Sequence, residues 1–281
     1  MTKLEPYRGG YYLWKYIPSL AAAIIFLLLF IAATAFHSWK LYKTKARFCI
    51  AFVLGGIFEV IGYIARAAAH NRTGSVMPYS IQNVFLLLGP TLFAASVYMA
   101  LGRIIRCVQA EKYSLIRINW LTKVFVMGDV LSFVVQGGAS GLMVSGNNAK
   151  LGSDIVVAGL VIQVIMFCFF IGTTVVFQVR MHRFPTTESF NGRVKWKSHL
   201  RVLYAISLLV LIRSLFRVVE YVEGNDGYPL THEWTLYVFD SILMLAVMAI
   251  WAIWHPGILQ ESLQSDRAPL SLRSLSEDAQ P

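Results

Sequence analysis

Between Ile206 and Glu223 the sequence ISLLVLIRSLFRVVEYVE is apolar enough to cross a bilayer, yet it carries Arg213, Arg217 and Glu220. On a helix, offsets of four and seven residues put all three on one face. A charge at the bilayer centre costs between about 3 and about 15 kcal/mol. That face must therefore meet protein or water, and neutralising acids are expected on neighbouring helices. Other apolar stretches hold similar residues: Glu59 with Arg66, Asp129 with Gln136, then Gln163 and Asp240. The charged members are Glu59, Asp129, Glu220 and Asp240 against Arg66, Arg213 and Arg217, a near balance suited to a desolvated network. Two readings follow. One is a structural lattice that fixes helix rotation. The other is a hydrated pocket, open to the outer side, for the polar head of an amphipathic ligand. Intramembrane ionisable residues are functional by default, and a carboxylate surplus suits a cationic head. The candidate substrate-binding set is Glu59, Arg66, Asp129, Gln136, Gln163, Arg213, Arg217, Glu220 and Asp240.

These residues need a bundle to hold them. The chain is 57% hydrophobic and 14% charged over 281 residues, the composition of an all-α polytopic membrane protein. Runs of about 20 apolar residues predict seven transmembrane helices, at 17–36, 48–69, 81–105, 121–144, 155–179, 200–221 and 235–254. The first run is too long for a typical signal peptide, and basic residues follow it, so it is read as a retained helix despite Ala33-Thr34-Ala35. Three regions result: an extracellular or lumenal segment at 1–16, a transmembrane domain at 17–257 and a disordered cytoplasmic tail at 258–281.

Orientation follows from the basic residues. The connections after helices one, three and five, with the tail, hold seventeen Lys and Arg against five on the other side. This predicts an outside amino terminus and a cytoplasmic carboxyl terminus. It also explains the net charge of +10 better than nucleic-acid binding does. Asn71-Arg72-Thr73 is then an outward glycosylation acceptor pattern, in a short loop that holds Asn71 close to the bilayer. With that sense, the buried polar residues fill the middle and outer layers and leave the inner layer apolar. Gly89-Pro90 removes a hydrogen bond from helix three, and Gln136-Gly137-Gly138-Ala139-Ser140-Gly141 offers a small-residue seam on helix four.

No cofactor is expected. Cys49, Cys107 and Cys168 read as buried small hydrophobes rather than a disulfide set. The histidines His37, His70, His182, His199, His232 and His255 fall at span ends or in loops, without zinc-ligand spacing. No nucleophile adjoins a base, so an intramembrane hydrolase is a weak alternative and no enzyme is expected.

Several motifs run through the spans. They are Gly56-x-x-Glu59-x-x-Gly62-Tyr63-x-x-Arg66, Gly89-Pro90 with Ala94-Ala95-x-x-Tyr98-Met99-x-x-Gly102-Arg103, and Gly128-Asp129 with Gln136-x-Gly138. Further on come Ala158-Gly159-Leu160-x-x-Gln163, Arg213-x-x-Phe216-Arg217-x-x-Glu220, and His232-Glu233-Trp234 through Tyr237-x-x-Asp240 to His255-Pro256-Gly257. From about Tyr16 to Gly257 the sequence resembles the fungal RTA-like family, lipid-translocating exporters named for resistance to aminocholesterol. Gly89 departs from the alanine that this family more often has before the proline, which touches local kink geometry. The resemblance implies a seven-helix exporter in the plasma membrane or an internal membrane. Its cargo would be an amphipath such as a sphingoid long-chain base, a sterol-like toxicant or a porphyrin, and it would confer stress or drug resistance. No nucleotide-binding loop is present, so movement would be facilitated or ion-coupled, or the protein would regulate lipid flipping by others. A heptahelical receptor or sensor shares the topology and is the main alternative. Helix three ends in Gly102-Arg103-Ile104-Ile105-Arg106, without that class's acidic-arginine-aromatic triplet, and helix seven contains no lysine for retinal.

Overall fold

The computed structural model describes residue 12 and residues 14–144, 149–190, 195–224 and 227–254. Seven of its helices are long and apolar enough to cross a membrane. They are α1 (Leu20–Thr44), α2 (Ile50–Ala69), α3 (Val76–Cys107), α4 (Ile118–Val144), α5 (Ala149–Arg183), α6 (Trp196–Glu223) and α7 (Glu233–Ile253). All seven predicted spans are present. The protein is an all-α, multi-pass membrane protein, and each chain neighbour packs on the next. The ring closes where α7 meets α1, and α3 reaches across it to α6. Accordingly α3 buries the largest share of its surface, while α1 and α4 turn most of theirs outward.

Every helix except α2 overruns at least one of its predicted ends. Hydropathy reports the thickness of hydrocarbon to be crossed, whereas a helix continues into the polar layer until its backbone is stopped. Helix α1 starts at an N-cap, with Ser19 Oγ accepting from the Ala22 amide at 3.4 Å. It ends only at Lys45, whose left-handed φ of 49° turns its amide onto the Leu41 carbonyl at 2.9 Å. One expectation changes as a result. His37 is not at a helix end but inside α1, buried, where Nε2 donates to the Met248 carbonyl at 3.0 Å. One turn on, Lys40 Nζ donates to the Ala252 carbonyl at 2.6 Å, so two α1 side chains grip α7 backbone.

Glycines set the closest approaches. A Cβ on Gly55 would lie 2.8 Å from the Gly89 carbonyl oxygen, and one on Gly62 would lie 2.6 Å from Leu86, so α2 lies backbone-close to α3. Between α4 and α5 the close positions are Gly128, against Met166, and Gly159, against Gln136. Gly137 and Gly138 face open space. Of the expected seam, Gln136 thus meets α5 while Gly137 and Gly138 do not; the side chains of residues 139–141 lie outside the described set, as do residues 1–11, His255-Pro256-Gly257 and the tail at 258–281.

The bundle has two unlike ends. At one, near Arg66 and Glu233, polar groups are buried. At the other, Phe48, Leu101, Ile104, Ile105, Val108 and Leu121 form an apolar core, as the sequence predicts for that layer. A stacked pair, Phe52 on Trp251 at 4.8 Å, with Phe93 against Phe52 at 4.6 Å, packs α2, α3 and α7 together.

Candidate functional site

The buried ions form three groups rather than one network. The central group is a quartet on α6 and α7. Asp240 is 1% exposed, and each of its oxygens takes one guanidinium: Oδ1 accepts from Arg213 Nε, and Oδ2 from Arg217 Nη2 at 2.6 Å. Arg217 Nη1 also donates to Glu220 Oε2 at 2.8 Å. Two cations and two acids thus cancel within about two turns of α6 and one residue of α7. Asp240 is placed for this by a π-helical stretch, Tyr237–Ile242, whose wider turn re-aims α7 side chains.

The second hydrogen bond of Arg213 ties the quartet to α3. Pro90 lies inside α3 and has no amide hydrogen for the carbonyl four residues back, at Leu86. Arg213 Nη2 donates to that carbonyl instead. The lost helical bond is replaced by a charged one from another helix, which is how a proline is accommodated in a membrane span.

Glu59 lies beside this group without joining it. It is 1% exposed, its side chain lies over Gly89, and its Oε1 has no hydrogen-bond partner among the described residues. A Cβ on Gly89 would come within 2.7 Å of that oxygen, so the missing side chain is what gives Glu59 its room. The departure from alanine before Pro90 thus bears directly on a buried acid.

The second group surrounds Arg66, which is fully buried. The spacing on α2 places Glu59 on the same face, but the salt bridge is to Glu233, at 2.7 Å. Arg66 donates as well to the Tyr237 and Tyr16 hydroxyls, at 3.0 and 3.2 Å, and to Gln82 at 3.4 Å. The rings of Trp14, Tyr16 and Tyr237 surround its guanidinium. The segment before α1 crosses this end as a strap: the Ser19 amide donates to Glu233 at 2.8 Å, and His70 Nδ1 donates to the Pro18 carbonyl at 2.7 Å. The Tyr63 and Ser241 hydroxyls bond to each other between the first and second groups.

The third group is on α3, α4 and α5. Tyr98 OH donates to Asp129 Oδ2 at 3.0 Å, whereas Asp129 Oδ1 and Ser132 Oγ are buried with no partner among the described residues. Gln136 packs over Gly159, and Gln163 is half-buried one turn further along α5. Of the nine candidate residues, four form the quartet, Glu59 adjoins it, Arg66 stands with Glu233, and Asp129, Gln136 and Gln163 belong to α4 and α5. Sequence reasoning missed Glu233 and Tyr237 as partners of Arg66, Tyr98 as that of Asp129, and the Leu86 carbonyl. The spacing Glu233, Tyr237, Ser241 on α7, four residues each, was the available signal for a polar stripe. Among the described residues no group of His, Cys, Asp and Glu is placed to hold a metal ion.

Seven membrane-length helices closed around buried, largely self-neutralised ions define a polytopic membrane protein built around a polar interior. Residues 52–262 match the model of the RTA1-like protein family, and the chain belongs to that family. It is 34% identical to protoporphyrin uptake protein 1 of Saccharomyces cerevisiae, over 87% of this chain and 92% of that one. It is likewise 34% identical to protein RTA1 of the same yeast, over 93% and 92%. A sphingoid long-chain base transporter, RSB1, is 26% identical over 86% of this chain and 72% of its own. No solved structure matches.

Proposed function

We propose that the protein is a translocator of amphipathic molecules with a cationic head, sphingoid long-chain bases being the first class to test, and that it confers resistance to such compounds. The observation that carries this reading is Glu59: a buried carboxylate oxygen without a partner, next to arginines already engaged by other acids. An ammonium group arriving there supplies the missing countercharge. A porphyrin brings carboxylates, and Arg66, Arg213 and Arg217 each already hold one. In this reading the quartet and Arg66 maintain the framework. Glu59 meets the head, and Asp129, Gln136 and Gln163 line a second polar patch along α4 and α5. Relatives named for sphingoid base transport and protoporphyrin uptake support an amphipathic cargo. The excess of Lys and Arg at the Ile105 end supports an outside or lumenal amino terminus and a cytoplasmic carboxyl terminus; the plasma membrane is the proposed site.

The test is flux in proteoliposomes, comparing a sphingoid base, an aminosterol and a porphyrin, with and without a proton gradient. Glu59→Gln is expected to lower flux of the base by about tenfold, the worth of one charged hydrogen bond, and to affect the porphyrin far less. Base flux at the unmodified rate, or equal loss for all three cargoes, would defeat the reading.

A further inference from the structure

At the Ile105 end, remote from the three buried groups, a cleft of about 250 Å³ opens between the last turns of α5 and the first turns of α6. Its walls follow helical spacing: Gln178 and His182 from α5, Lys197, Arg201 and Tyr204 from α6, with Trp196 and Leu200 behind them. None of these lining residues is acidic. Lys197 and Arg201 are exposed, four residues apart on one face, and not committed to any ion pair among the described residues. The Tyr204 hydroxyl is buried and has no partner among the described residues. The His182 and Trp196 rings pack steeply against each other, their centroids 5.6 Å apart. Beside the cleft, Val175, Val179 and Leu208 are exposed apolar side chains on the same two helices.

We propose that this cleft binds a phosphate-bearing anion. Arg201 supplies the planar, two-pronged donor that phosphate oxygens favour, Lys197 a second charge, and Tyr204 an inner hydroxyl donor that the unliganded protein leaves unused. Cationic side chains at the mouth with apolar side chains alongside match a phospholipid head whose chains continue into the membrane; a soluble phosphate would use the same donors without the apolar surface. The site is independent of the proposed cargo site.

The experiment uses the full-length protein in a non-ionic detergent. It is titrated with short-chain phosphatidic acid, short-chain phosphatidylcholine and inorganic phosphate while Tm is followed. Phosphatidic acid is expected to raise Tm and phosphatidylcholine is not. In the double variant Lys197→Gln/Arg201→Gln the half-saturating concentration should rise about tenfold or more, with the unliganded Tm unchanged. Tyr204→Phe should weaken binding yet leave the unliganded protein at least as stable, since it removes an unsatisfied hydroxyl. Lys112→Gln/Lys123→Gln, at the same end but outside the cleft, should titrate like the unmodified protein. An equal response to inorganic phosphate assigns the site to a soluble ligand, and a response to the lipid alone assigns it to the bilayer. No response to either, a response retained in the cleft variants, or equal weakening in the control variant overturns the proposal.

Discussion

The buried acids divide by what they touch. Asp240 accepts from two guanidinium groups, so Asp240→Asn strips one charge from a closed quartet and leaves a buried cation without its counterion. Breaking such a pair costs about 3–5 kcal/mol, and the expected outcome is a sharp fall in folded yield and Tm in detergent. Glu59→Gln removes a carboxyl group that makes no ion pair among the described residues; its Tm is expected to hold or rise while base flux falls. Identical losses of Tm for both variants would show that Glu59 belongs to the framework. The identity of these residues was legible in the sequence, because each is a costly exception in an apolar run. Their pairing was not. Glu59 and Arg66 share a face, but seven residues of rise separate them by about 10 Å along the axis. The true partner, Glu233, comes from a helix more than 160 positions away, and no local spacing encodes that meeting.

At the scale of elements, α2 and α3 are held together by absences. Gly55→Ala would set a methyl 2.8 Å from the Gly89 carbonyl, a backbone atom that moves only if the helices part. Overpacking of this kind costs about 1–3 kcal/mol, so a lowered Tm is expected. Gly89→Ala meets instead the far end of a flexible side chain, Glu59, which can swing aside. That variant should fold normally and alter the ratio of base to porphyrin flux; an unchanged ratio would separate Glu59's position from selectivity. The seven helices were readable from the lengths of the apolar runs. The π-helical stretch of α7 was not, because one extra residue in a turn leaves an apolar helix looking equally apolar. The close approach of α4 to α5 was only partly legible for a related reason: composition permits it along a run of small residues, whereas it occurs at Gly128 against Met166 and at Gln136 against Gly159, and not at Gly137 or Gly138.

For the whole molecule, the proposed orientation makes a prediction at Asn71. This residue is exposed in the turn between α2 and α3, but Thr73 of the same acceptor pattern is only 2% exposed. Enzymatic deglycosylation of the protein from its host is expected to produce no gel shift. Lengthening that turn with a flexible polar insert should produce one; a lengthened turn that stays unmodified in a glycosylating membrane would argue for the reverse orientation. The ring of helices also carries one dependency that no single position reveals. Alanine in place of Pro90 would satisfy the Leu86 carbonyl from within its own helix and leave Arg213 with a surplus donor; a neutral residue in place of Arg213 would leave the proline's debt open. The two positions are therefore an epistatic pair. Descendants of this chain should keep both or lose both together, and a double replacement should be milder than the sum of its halves.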